Sequence, residues 1–303
     1  MTQTPTPSPA APAAPERPER LVLLAFLVVI LLGGSNAVAV RFSNQSLPPF
    51  WGASLRFIAA AALFWAIVWL RRVPVPRGRA LYGSLFYGAL TIGVFYALMY
   101  WALTSVPASL TMVVLAIGPL LTLFLAVAHG QERFQARGLL GALVAFGGIL
   151  LAVGGQLGGQ LPLLPLLALL GAATALSEGN VLFKTFPRSD PLVVNALALS
   201  MGSALLLAIS AVAGETWALP SDTATWLTTA YLVFFGSGML FYLYLYVLQR
   251  WTASATAYSF LLLPISATLL GAWLLGEPVT GRFALGGLIV MAGVYIGALA
   301  PRD

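Results

Sequence analysis

The chain has 303 residues, 60% of them apolar and only 8% charged, with a net charge of +6. Soluble domains average roughly 45–50% apolar and about 25% charged residues, so too few polar side chains are present to cover a water-facing body, and a sizeable extramembrane catalytic or receptor domain is excluded. Cysteine is absent, which removes disulfides, thiolate nucleophiles and Cys-based metal sites; the basic excess reads as membrane topology, with no nucleic-acid partner.

Residues 1–19 are rich in Pro, Ala and Thr without apolar periodicity and are expected to form a disordered cytoplasmic tail. The stretch from Leu21 to Val40 carries no charge. Ala37-Val38-Ala39 has the small-residue form of a signal-peptidase site, but the apolar run is longer than an ordinary signal core and its leader has no net positive charge, so it reads as a first membrane span. Apolar runs predict helices over 21–41, 48–70, 79–103, 107–128, 135–154, 162–184, 191–213, 224–248, 253–275 and 282–299. Breakers such as Pro48-Pro49, Pro107 and Glu277-Pro278 separate them. The fold class is an all-α integral membrane protein of ten transmembrane helices.

With the N-terminus inside, one face holds Arg17, Arg20, Arg71, Arg72, Arg77, Arg79, Arg133, Arg137, Lys184, Arg188, Arg250 and Arg302. The other holds Arg41 and Arg282, and Arg56 lies within a span. That imbalance predicts cytoplasmic N- and C-termini in a multi-pass protein of the bacterial inner membrane.

A shift of 145 residues without a gap lays Leu103–Val153 on Leu248–Ala298, pairing Pro119 with Pro264, Glu132 with Glu277, Arg137 with Arg282, Gly141 with Gly286 and Gly148 with Gly293. Gly93 and Gly238 fall in the same frame, and a weaker match at 143 pairs Arg41 with Lys184 and Pro48 with Pro191. Each half holds five spans. Because five is odd, the second half sits upside down relative to the first, the inverted-repeat architecture of secondary transporters. The expected units are the tail at 1–19, a first repeat at 21–154 and a second, inverted repeat at 162–300.

Gly34-Ser35-Asn36 followed by Arg41, Leu55-Arg56-Phe57, Leu275-Gly276-Glu277 and the closing run Gly286-Gly287-Leu288 to Ala292-Gly293-Val294 resemble the EamA-type repeat of the drug/metabolite transporter superfamily. The resemblance covers both halves and extends to bacterial aromatic amino-acid exporters of the YddG type. His129-Gly130-Gln131-Glu132 departs from it, standing where Leu-Gly-Glu is usual. The resemblance implies outward movement of small hydrophobic or aromatic amino acids through a central cavity.

Charged groups inside a span are functional candidates because hydrocarbon disfavours them. Glu178, flanked by Ser177 and Asn180, reads either as a site for a substrate ammonium or proton or as a structural carboxylate satisfied by its neighbours. Arg56 is a possible partner for a substrate carboxylate or a structural salt bridge; Arg41 and Lys184 read as interfacial anchors. Glu132 and Glu277 are expected to cap helix ends, and His129 to serve structurally at a helix end. Tyr96, Tyr100 and Trp101, with Tyr242 and Tyr246, are candidates for an aromatic cavity wall, since both tyrosine pairs share a helix face at i, i+4; packing or an interfacial aromatic belt is the alternative. Asn36 and Tyr258 complete the cavity set. Pro119 and Pro264 are candidate hinges. The Gly293/Gly297 and Gly154–Gly159 small-xxx-small patterns point to packing within the bundle or to a weak dimer.

One histidine and few acids supply no metal cluster and no Ser-His-Asp set. There is no GxxxxGK[ST] motif. The chain is therefore expected to act as a secondary carrier without cofactor, as a monomer or weak dimer in the bilayer. Two alternatives stay open: a proton-linked multidrug or other metabolite carrier of the same fold, and a non-transporting membrane protein.

Overall fold

In a computed structural model, the structure describes residues 20–43, 46–106, 111, 114–153, 163–275 and 281–299. The tail at 1–19, Glu277, the glycines of 154–159 and the side chain of Arg41 lie outside the described residues. The described chain is helical: α1 (Arg20–Ser43), α2 (Pro49–Leu70), α3 (Arg79–Leu103), α4 (Gly118–Ala128), α5 (Ala136–Val153), α6 (Leu163–Phe183), α7 (Pro191–Val212), α8 (Thr223–Leu248), α9 (Ala253–Ala257 and Ser259–Leu275) and α10 (Gly281–Val294, continued by a π-helical turn to Leu299). Five of these, α2, α3, α6, α7 and α8, are long and apolar enough in themselves to cross a membrane. The other five contribute apolar stretches of Arg20–Asn36, Gly118–Ala128, Ala136–Ala152, Ala253–Ala267 and Gly281–Gly297 among the described residues. Large apolar side chains are exposed around the bundle, among them Leu21, Leu31, Trp69, Leu163, Leu227, Trp273 and Leu288, as a lipid-facing surface requires and a water-facing one disfavours.

Local signals set the helix ends. Pro49 and Pro191 occupy first-turn positions, where a missing N–H costs no intrahelical bond. Asp190 caps α7 through the Leu192 amide at 2.8 Å, and Asp222 caps α8 through the Thr225 amide at 2.8 Å. The Thr225 hydroxyl donates to Asp222 as well, and these bonds hold its carboxyl below the usual range.

The packing obeys an internal twofold. The helix α5 crosses α10, and α2 crosses α7; α1 packs on α8 and α9 of the other half, while α6 packs on α3 and α4. Exchanging the halves maps each pairing onto another in this set. At the α5–α10 crossing, a Cβ at Gly148 would meet the Gly286 carbonyl, and one at Gly141 the Gly293 carbonyl. The 145-residue shift exchanges these two contacts, which is the self-complementarity of a twofold interface. The glycines matched in sequence therefore pack within the bundle.

Two further registers come from repeated contacts. Gly238 faces Leu63 as Gly93 faces Leu205, so α2 maps onto α7 with Pro49, not Pro48, equivalent to Pro191. Asn36 presses on Gly236 as Gly179 presses on Thr91, which maps α1 onto α6 by 143 residues.

The sequence reading missed one feature. α3 is π-helical at Ala89–Val94 and α8 at Phe234–Met239, positions related by the same 145-residue shift. Such segments widen the helix by one residue per turn and concentrate at functional sites.

Candidate functional site

On the π-segment of α8, α1 and α2 converge. Arg56 is 1% exposed, roughly 10 Å along α2 from its start at the usual 1.5 Å rise, about a third of the way through a bilayer core of about 30 Å. Its Nε donates to Ser237 Oγ at 3.2 Å. The guanidinium lies over the Phe57 ring at 4.5 Å and the Tyr96 ring at 5.5 Å, within cation–π range. Neither Nη1 nor Nη2 has a hydrogen-bonding partner among the described residues. Placing an arginine at the bilayer centre costs about 2.5–3.5 kcal/mol even on insertion-based scales. Asn36, buried in α1, presses on Gly236 beside Ser237, and its Oδ1 likewise has no partner.

Aromatic rings continue from this point. Phe57 and Tyr96 meet edge-to-face at 4.8 Å, Tyr96 and Tyr100 lie 6.0 Å apart, and Phe241 packs on Phe57 at 6.0 Å. These rings belong to one apolar cluster with Leu115, Ala173 and Leu176. The same three residues line a small internal recess with Gly118, Thr122, Ser177, Asn180 and Phe260. The recess is no larger than one water molecule needs. Thr122 Oγ1 donates to the Gly118 carbonyl at 2.8 Å and to Ser177 Oγ at 3.0 Å, while Asn180 Nδ2 donates to Tyr244 Oη at 2.8 Å. The Asn180 Oδ1 is buried without a partner.

The structure thus joins Asn36, Arg56, Tyr96 and Tyr100, and it does not bring the remaining candidates to them. Trp101 is 45% exposed at the outer surface, the belt position. Tyr242 packs at the margin of the aromatic cluster. Tyr246 turns to α1, and Arg250 stacks on its ring at 3.5 Å. Between these two in sequence, Tyr244 is buried. Tyr258 sits at the break in α9 and donates to the Gly138 carbonyl at 2.6 Å, a joint between α9 and α5 away from the recess. Pro119 stands in the first turn of α4, after a turn at Ala116-Ile117, whereas Pro264 is inside the second part of α9. The two prolines, equivalent in sequence, are unlike in structure.

Charged groups near the basic face also differ from expectation. Glu178 is held by neither Ser177 nor Asn180; its Oε1 meets His129 Nε2 at 2.8 Å, and its Oε2 is buried without a partner. Lys184 is no snorkelling anchor: Nζ donates to the Leu248 and Trp251 carbonyls at 2.7 and 2.6 Å, closing the C-terminal end of α8. Partial desolvation lowers its pKa to about 8. Glu132 caps the start of α9 through the Ser254 amide and hydroxyl, not the helix that follows it in sequence. Glu215, which no pattern singled out, receives the Phe50 and Trp51 amides at 3.1 and 2.7 Å and the Ser210 hydroxyl at 2.7 Å, tying α7 to the start of α2. Among the described residues, no group of three His, Asp or Glu side chains gathers that could hold a metal ion.

The EamA-like transporter family matches residues 20–154 and 163–298. The chain belongs to this family. It is 30% identical over 275 residues to the inner membrane transporter YedA of Escherichia coli K12, covering 90% of this chain and 89% of that protein. It is 29% identical over 288 residues to a probable amino-acid metabolite efflux pump of Salmonella typhimurium LT2, covering 91% and 94%. A solved structure described only as "Crystal structure of protein" superposes with a TM-score of 0.76 at 23% identity, covering 91% of this chain and 95% of the other; that likeness concerns the fold. This EamA-family member is accordingly a multi-pass membrane transporter built from two inverted five-helix repeats.

Proposed function

We propose that this EamA-family transporter is a secondary carrier, not an enzyme, that exports small hydrophobic or aromatic amino acids or related metabolites by alternating access. The observation that carries the reading is the buried ring wall of Phe57, Tyr96, Tyr100 and Phe241, set where α2 and α3 of the first repeat meet α8 of the second. Flat apolar side chains pack well against such faces. The amino-acid metabolite efflux pump among its relatives supports the substrate class. The paired π-segments of α3 and α8 are the proposed flexing points, with Pro264 and the turn before Pro119 as further hinges. The basic residues of the inner loops support cytoplasmic termini in the bacterial inner membrane, and the carrier acts as a monomer or weak dimer.

A lipophilic cation is the less favoured cargo because Arg56 puts a fixed positive charge in the wall. The buried Glu178 Oε2 is the one observation that favours a proton-linked carrier. Counterflow in substrate-loaded proteoliposomes, with Phe, Trp, Met, Thr and a lipophilic cation, with and without a pH gradient, tests both. Amino-acid exchange that persists without the gradient is expected. Exchange of the cation alone overturns the reading, and no exchange of any compound points to a non-transporting membrane protein.

A further inference from the structure

We propose that Arg56 is the receptor for a carboxylate on the transported molecule, with Asn36 accepting a hydrogen bond from its ammonium, so that the carrier selects zwitterions and excludes cations. This rests on the carrier reading and names the substrate chemistry of the same site.

The charge at Arg56 has no acidic counterpart among the described residues. Each acid among the described residues is engaged elsewhere: Glu132 at Ser254, Glu178 at His129, Asp190 and Asp222 at helix starts, Glu215 at the start of α2. Guanidinium stays protonated at any physiological pH, and the described residues supply no anion to neutralise it at this depth. The Nε bond to Ser237 and the rings of Phe57 and Tyr96 hold the fork in place. Neither terminal nitrogen makes a hydrogen bond of good geometry among the described residues, with the Tyr96 hydroxyl as the nearby polar group, and bidentate recognition of a planar carboxylate uses such a fork.

The internal repeat supplies a control for the bland explanation that the fold needs this arginine. By the contacts that relate the halves, Arg56, Ser237 and Asn36 correspond to Ala198, Ile92 and Gly179. Ala198 and Ile92 are buried apolar residues, and Gly179 lets α6 close directly on Thr91. The same crossing is therefore built elsewhere in this molecule without a charged group, and the polar side chain there, Thr91, donates back to the Tyr87 carbonyl of its own helix at 2.7 Å. The polar trio on one side alone marks a site kept for a ligand, and its place on the α8 π-segment couples occupancy to the helix most able to flex.

The test uses the purified full chain, with thermal stabilisation in detergent as a binding readout beside proteoliposome exchange. The probes are L-phenylalanine, phenylpropionate, which lacks the amine, and L-phenylalaninamide, which lacks the carboxylate. Phenylalanine and, more weakly, phenylpropionate are expected to bind, and the amide to bind about 10- to 100-fold more weakly than phenylalanine. Arg56→Gln is expected to lose that preference and Arg56→Lys, which keeps charge without the fork, to retain part of it. Should Arg56→Gln not fold, the ligand series on the unaltered protein and Arg56→Lys still decides. An amide that binds as well as phenylalanine, an Arg56→Gln protein with an unchanged preference, or no stabilisation by either carboxylate overturns the proposal. Exchange of phenylalanine and its amide alike would sink the Arg56 site while leaving the carrier standing; carboxylate binding lost in Arg56→Gln without any exchange would do the reverse.

Discussion

Glu178 on α6 grips His129 at the end of α4, Oε1 to Nε2 at 2.8 Å. The pair ties the two repeats together near the basic face. The His129 side chain is 37% and the Glu178 side chain 25% exposed, so the contact itself is worth less than about 1 kcal/mol. The second carboxylate oxygen is buried and unpaired, and this makes the two halves of the pair unequal. His129→Ala leaves the half-buried carboxylate without its partner and is expected to cost more stability than Glu178→Gln, while adding Glu178→Gln to His129→Ala recovers part of the loss. Thermal melts of the two single variants and the double variant in detergent check this. Equal, additive losses would show that the pair does not act as a unit.

The α5–α10 crossing offers a comparison between neighbours. A Cβ at Gly148 would lie 2.7 Å from the Gly286 carbonyl, whereas nothing stands within 4 Å of one at Gly147. Gly148→Ala should force the helices apart at a cost of about 1–3 kcal/mol. Gly147→Ala should be neutral or stabilising by up to about 1 kcal/mol, from helix propensity. The melting temperatures of the two variants relative to the parent decide the matter, and a matching drop in both would remove the close crossing from the account of stability.

Much of this architecture was legible in the residues, and the reasons differ from place to place. Lipid demands long apolar runs, so the spans announced themselves, and rare Pro, Glu and Arg residues in one frame exposed the repeat. Arg56 stood out because charged groups are few within spans, and Asn36 because it closes the Gly34-Ser35-Asn36 run. The partners did not, because they come from other helices: no local pattern joins His129 to Glu178, Glu132 to Ser254, Lys184 to the end of α8 or Glu215 to the start of α2. The i, i+4 rule chose Tyr242 and Tyr246, yet the π-segment just before them turns Tyr244 inward to Asn180. A π-segment has no residue signature, although the matched Gly93 and Gly238 lie within the two of them.

Lys184 makes a prediction about pH. Its pKa is lowered to about 8 from an ordinary 10.5, so between these values the unfolded chain binds more protons than the folded one, and stability from this group rises with pH across that window. The neutral amine still has two N–H donors for the Leu248 and Trp251 carbonyls, so the cap survives deprotonation. Lys184→Met should therefore cost more at pH 9.5 than at pH 7. Melts of both proteins at the two values test it; a difference that shrinks with pH would return Lys184 to a simple surface anchor.

Glu215 closes the opposite face. Its carboxylate takes two of the amides that the start of α2 leaves without intrahelical partners, and the Ser210 hydroxyl steadies it from α7. A negative charge at a helix start is favoured by the helix dipole as well. Glu215→Ala should lose about 1–2 kcal/mol, the range of a strong N-cap, and Glu215→Gln, which keeps an acceptor without the charge, should lose less. Because Trp51 also donates its indole N–H to the Ala218 carbonyl at 2.7 Å and stacks on Trp217, loss of the cap should loosen the whole junction. Indole fluorescence at Trp51 and Trp217 is then expected to shift in Glu215→Ala before the bundle melts. A variant that melts as the parent does, with no fluorescence shift, would mean that the ring stack and not the carboxylate holds α2 to α7.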